Sequence, residues 1–218
     1  MKANIIVPTS LNELTLEQYQ KFIKIDTEEN RGTTFHMQKL VEIFCNLDLK
    51  NVASIKLKSM IEVANSIAGL FDKDHEFIDR FEMDNVKYGF IPLLDEISFG
   101  EYVDLDHNLT DWNNVHKAMA VLYRPITEEK NNRYEIEEYQ GIKDANRFLK
   151  MPLDVVLGSF VFFYHLGNEL LINTLNYLDQ ATRLDTHQMK ILRENGDGLH
   201  RSLHSLREML QDMKISLN

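Results

Sequence analysis

One cysteine, four prolines, nine glycines and a single tryptophan among 218 residues set the first limits. The lone Cys45 excludes an internal disulfide framework and suits a reducing compartment. Scarce Pro and Gly, with no low-complexity tract, exclude long disordered linkers. Positive charge is also short: 34 acidic against 24 basic residues leave a net charge of −10. An acidic chain repels phosphate backbones, and no local basic stripe offsets this, so no nucleic-acid partner is expected. The longest apolar run, around Val155 to Leu166, is too short for a bilayer, which needs about 20 residues. The opening MKANIIVPTS carries one Lys and too short an apolar run for a signal peptide. No membrane partner and a cytosolic location are therefore expected. Gly196-Asp197-Gly198 lacks the preceding strand and the Lys of a phosphate cradle, and no nucleophile elbow is present. No cofactor is expected.

What the chain does have is apolar order. Hydrophobic residues make up 44% and charged residues 27%, enough for one core and a solvated surface. Ile5 to Val7 reads as a short strand or an extended arm, ended by Pro8. Thr15 and Gln18 then form a capping-box pattern opening TLEQYQKFIKI, with Leu16, Tyr19, Phe22 and Ile23 on one face. A second helix is expected over about Thr34–Asn46 and a third over roughly Ser54–Phe71. Phe77 to Phe90 alternates around Asp84-Asn85, a two-residue hairpin signal. Ser98 and Glu101 repeat the capping box before SFGEYVDLDHNL. The helix WNNVHKAMAVLYR follows, which Pro125 should end, and Glu128 to Arg133 reads as a polar loop. Arg133 to Tyr139 alternates as a third strand would, or as an extended connection packed on the hairpin, and Asp144 to Lys150 reads as a helical turn.

The longest-range pattern starts at MPLDVVLGSFVFFYHLGNELL. From Leu157 onward, apolar positions recur at alternating steps of four and three residues, the frame of a heptad seam, interrupted at Asn168, Thr182, Asp185 and Gly196. Met151 to about Leu178 reads as a buried central helix. Asn195 to Gly198 is where a helical hairpin would turn. Beyond it Leu199, Leu203, Leu206, Leu210 and Met213 form an apolar row that either folds back on the core or binds a partner.

Sites for chemistry are sparse. Asp104 to Thr110 alternates oxygens like a calcium loop, but positions six and twelve are Leu109 and Val115 instead of Gly and Glu. His200 and His204 could face one metal from one helix face, yet no HExxH glutamate accompanies them. His116, beside Val115, reads as a hydrogen-bonded structural histidine. Asp95 to Asp111 holds six carboxylates and no Lys or Arg. Acid–base work by such a pair needs burial that spacing cannot show, and helix starts recruit acids for dipole reasons. A solvated face that docks a basic partner is the alternative. A small metal-dependent hydrolase using Asp104, Asp106, His107 and His116 is the enzymatic reading, with no metal site otherwise expected.

Several phrases together resemble a known group. VPTSLNELTLEQYQKF, KYGFIPLLDEISFGEYVDLD, WNNVHKAMAVLYRPI, RYEIEEY and MPLDVVLGSFVFF are similar to stretches of virion-assembly proteins from tailed bacteriophages of gut bacteria, crAss-like phages included. The resemblance covers roughly residues 5–170. It implies a non-enzymatic assembly role like that of tail assembly chaperones, or alternatively a structural subunit of tail or neck. The implied partner is another phage virion or tail protein, and the implied location is the host cytoplasm or the virion.

The expectation is thus a mainly α protein: a helical bundle with a small β-hairpin insertion and a long C-terminal helical hairpin. Residues 1–150 form a helical domain with the hairpin at about 77–91. Residues 151–218 form the long helix and an amphipathic helix packed on it or on a partner. Partner contact is assigned to Leu199, Leu203, Leu206, Leu210 and Met213, and an unpartnered Leu row also favours a homo-oligomer.

Overall fold

The structure, a computed structural model, describes residues 5–180 and 204–211. It is a mixed α/β fold with a helical majority and one four-stranded antiparallel sheet. The first helix, α1 (Leu16–Ile23), starts where the sequence says it must. Thr15 accepts from the Gln18 amide and the Gln18 side chain accepts from the Thr15 amide, so two otherwise orphaned donors are satisfied. Next come α2 (Thr34–Phe44), the five-residue α3 (Leu49–Ala53) and α4 (Leu57–Ala68). Asp48 caps α3.

Strands β1 (Arg80–Met83) and β2 (Val86–Phe90) form the expected hairpin. Asp84 and Asn85 both take positive φ, 51° and 62°, the conformation a two-residue turn of this hand requires. The sheet then extends beyond the hairpin insertion. Helix α5 (Phe99–Leu109) and helix α6 (Val115–Leu122) intervene, and β3 (Tyr123–Lys130) pairs with β2 on one side and β4 (Arg133–Ile136) on the other. Pro125 therefore lies inside a strand, opposite Tyr88, and its carbonyl accepts from the Glu137 amide. The segment expected as a polar loop is the end of β3 and a second tight turn, in which Asn131 and Asn132 take φ of 49° and 63°. Asn tolerates the left-handed region far better than most residues.

Helix α7 (Leu153–Gln180) follows, and the described residues 204–211 are also helical. The start of α7 is tied to the N-terminal segment: the Leu16 amide donates to Met151 at 3.0 Å and the Leu153 amide to Leu14 at 2.9 Å. Leu153, Val155, Val156, Leu157 and Phe160 are buried in the same core as α1, α6 and the sheet. Inside that core the Tyr123 hydroxyl donates to the Ile78 carbonyl at 2.6 Å and meets Ser159 Oγ at 2.9 Å. Gly158 is required here. Helix α7 passes so close to the backbone at Glu76 that a Cβ would overlap the Glu76 carbonyl. The expectation of one buried helix from Met151 to about Leu178 holds through Phe160, and the burial of residues 174–178 lies outside what is described. His165, Glu169, Leu170, Ile172 and Asn173 are exposed, apolar residues among them, where α7 extends past the core. No helix among the described residues is long and apolar enough to cross a membrane.

Candidate interaction surface

Helix α5 is fixed in place by polar contacts and presents an unusual outer side. Its first turn is a complete capping box: Ser98 Oγ accepts from the Glu101 amide, and Glu101 Oε2 accepts from the Ser98 amide and hydroxyl, both at 2.7 Å. The second carboxylate oxygen, Oε1, lies 2.8 Å from Arg124 Nη2 on β3. Both side chains of this pair are largely buried. The Arg124 guanidinium also sits 5.8 Å from the centre of the Tyr139 ring, and the Tyr139 hydroxyl donates to Asp104. Burial raises the Tyr139 hydroxyl well above its ordinary range, and the Asp104 acceptor adds to the rise. Leu105 and Leu109 complete the inward side, against α6.

One helical turn repeats every 3.6 residues, so Phe99, Tyr102, Val103 and Asp106, at i, i+3, i+4 and i+7, share the opposite side. All four are exposed; Phe99 is 82% exposed, Tyr102 55% and Val103 45%. A scattered surface apolar residue needs no explanation, but three on one helix face form a patch of the kind that marks protein contact. Its rim is acidic. Asp95 and Glu96 precede the helix, and a cleft of about 380 Å³ between its start and β4 is lined by Glu96, Glu137 and Glu138. Of the six carboxylates between Asp95 and Asp111, Asp95, Glu96 and Asp106 are exposed, while Glu101 is buried and Asp104 and Asp111 are half-buried. The acidic face expected from the sequence is therefore solvated in part, and its apolar centre was not expected.

The residues considered for metal chemistry are dispersed. Asp104 is engaged by Tyr139, whereas Asp106 and His107 are exposed. His116 is buried on α6, its Nδ1 3.5 Å from Gln20 Nε2, and burial lowers its pKa, with Lys117 adding to the effect. Among the described residues no three His, Cys, Asp or Glu side chains stand close enough to share a metal ion. His204 is exposed and 3.3 Å from Glu208; His200 lies outside the described residues. Of the apolar row, Leu206 and Leu210 are buried and belong to the core cluster together with Met209. A partner reaching those two would have to displace that packing. Leu199, Leu203, Met213 and the turn at Asn195–Gly198 lie outside the described residues.

One other polar cluster stands out. Asp26, after α1, receives Arg31 Nε at 3.0 Å, Arg31 Nη2 at 2.8 Å and His36 Nε2 at 2.7 Å. Burial alone would raise Asp26, but the Arg31 fork and His36 outweigh it and hold the carboxyl below its usual range. The cluster borders a small recess of about 280 Å³ with Phe22 and Phe71, and it pins the α1–α2 connection to α2.

No family model matches the chain, and no curated protein or solved structure matches it.

Proposed function

We propose that the protein is a non-enzymatic assembly factor that works by protein–protein contact through its helical surfaces. The observation that carries this reading is the outer side of α5, where Phe99, Tyr102 and Val103 stand in solvent on a helix whose orientation is locked by the Glu101–Arg124 pair. A rigid element that keeps large apolar groups in water loses the burial free energy of those groups, about 1.5–3 kcal/mol each, until something covers them. The phage setting is supported by the sequence likeness described above. In that setting the protein holds another virion or tail protein in the host cytoplasm, as a tail assembly chaperone does. The second reading is a structural subunit kept in the tail or neck. It is favoured by the charge relation between two faces of the chain described below.

The test is co-expression of the tagged chain with the virion proteins encoded beside it. Phe99→Asp with Val103→Asp should abolish the recovered complex while leaving the thermal unfolding midpoint within a few degrees of wild type. A complex that survives both substitutions overturns α5 as the contact face. Mass spectrometry of purified virions separates the two readings, since a chaperone is absent and a subunit is present at stoichiometric copy number.

A further inference from the structure

The described surface carries further exposed apolar residues on α3 and α4, both of which pack on α2. Leu49 on α3, with Leu57 and Ile61 on α4, is exposed, Leu57 to 66% and Ile61 to 43%. Leu57 and Ile61 are four residues apart and adjacent on α4, beside the strip that buries Met60, Ala64 and Ile67. The surroundings of these exposed residues have the opposite charge from those of α5. Between Leu49 and Ile61 the chain has Lys50, Lys56 and Lys58 and no Asp or Glu, and the exposed Asp48 and Glu62 flank the stretch. All three lysines are exposed, and Lys58 makes just a long, exposed approach to Glu62, at 3.9 Å. Across Asp95 to Asp111 the pattern is reversed, with six carboxylates and no Lys or Arg. Helix α4 packs on α2, while α5 packs on α6, so the two sets of apolar residues belong to different parts of the fold.

We propose that the acidic α5 face of one copy is covered by the basic α3–α4 face of a second copy. Phe99, Tyr102 and Val103 would bury against Leu49, Leu57 and Ile61, with Asp95, Glu96 and Asp106 facing Lys50, Lys56 and Lys58. An apolar centre ringed by complementary charge is the usual anatomy of a specific contact: the centre supplies affinity, and the rim sets orientation and speeds encounter. Two copies meeting through the same α5 patch would bring acid against acid, so a symmetric contact through α5 is disfavoured by the same charges. A contact between two different faces leaves one face of each kind free on every pair. Such assemblies either close into a ring or grow as a filament. The proposal rests on reading α5 as a contact face and goes beyond it by naming the occupant.

The experiment uses full-length protein and two charge-reversed forms, one carrying Lys56→Glu and Lys58→Glu, the other Asp95→Lys and Glu96→Lys. All four positions are exposed, so both forms should fold, and circular dichroism with thermal unfolding verifies this. Analytical ultracentrifugation should show concentration-dependent association of the wild type that weakens as salt is raised. Each reversed form alone should associate at least ~10-fold more weakly, because one kind of charge then lies on both faces. An equimolar mixture should regain association, since each form now carries the face that the other needs. If the Lys→Glu form associates like the wild type, or the mixture gains nothing over its components, the head-to-tail contact is overturned. A wild type that stays monomeric throughout overturns self-association and leaves α5 free for a different protein, which the co-expression test decides independently.

Discussion

Removing the Glu101 carboxylate probes the element on which the whole surface depends. At 2.8 Å and an effective dielectric constant of about 20, the Glu101–Arg124 attraction is roughly 6 kcal/mol before solvation is counted. Desolvation of two largely buried ions opposes most of that, so the intact pair contributes little net stability. Breaking it is another matter. In Glu101→Ala the guanidinium keeps its burial and loses its counter-charge, and its Nε already finds no acceptor among the described residues. A stranded buried charge costs about 3–5 kcal/mol. The Ser98 amide and hydroxyl lose their acceptor as well, which adds about 1 kcal/mol for the cap. A sum of about 4–6 kcal/mol lowers the melting temperature by roughly 8–24 °C at about 2–4 °C per kcal/mol for a chain of this size. Arg124→Met should cost less, because the Glu101 carboxylate would still accept from Ser98. The double variant Glu101→Ala with Arg124→Met should be more stable than the two single losses predict, by at least about 2 kcal/mol, since no orphaned charge remains. Urea unfolding of the four proteins measures this cycle. Single losses that simply add, within about 0.5 kcal/mol, would refute the claim that the pair is buried and coupled.

Three further outcomes follow from the same geometry. Gly158→Ala should destabilise by about 1–3 kcal/mol in thermal unfolding, because the added methyl overlaps the Glu76 carbonyl and the backbone must move; a stabilised variant, as helix propensity alone would give, contradicts the close approach. Tyr123→Phe should cost about 1–2 kcal/mol, since the Ile78 carbonyl loses its buried donor and Ser159 a hydrogen-bond partner, and an unchanged urea midpoint would show that the hydroxyl is not holding α7 to the sheet. His75 and His116 are both lowered from 6.5, in each case chiefly by burial, so the unfolded chain takes up their protons first. The stability they contribute is full above pH 6.5 and declines as pH falls from there through their folded-state values. His116→Gln should flatten that decline in a pH series of unfolding midpoints, and an identical slope would refute the assignment.

How far the fold could be read in advance depended on whether a local signal had a single physical outcome. Both capping boxes form, at Thr15–Gln18 and Ser98–Glu101, because each fixes a helix start with its own side chains. The Asp84-Asn85 turn forms for a similar reason. The second hairpin was hidden. Its strand residues Thr127 to Lys130 are polar and its turn is Asn-Asn, so composition matched a loop although Asn in the left-handed region closes a turn equally well. Pro125 misled in the same way: it stops a helix, but a strand residue whose amide is not needed by a neighbour can be proline.

The candidate surface was harder to read, and α5 shows why. Apolar residues lie on both of its sides, Phe99, Tyr102 and Val103 on one and Leu105 and Leu109 on the other. Helical spacing alone does not say which side faces the core. That choice is made by two contacts distant in sequence, Glu101 with Arg124 and Tyr139 with Asp104, which turn Glu101, Leu105 and Asn108 inward. Once they do, the aromatic side has no place to go but solvent. The available signal was the surplus: a helix with more apolar positions than one buried face can use, set in a stretch with no cation, while another exposed helix pair carries the lysines. The apolar row past Gly198 had the opposite fate at two of its positions. Leu206 and Leu210 present a regular, one-sided pattern, and such a pattern is what a helix needs in order to pack on its own chain. Regular periodicity therefore led toward the core, whereas the side of α5 left over after core packing is the one exposed for contact.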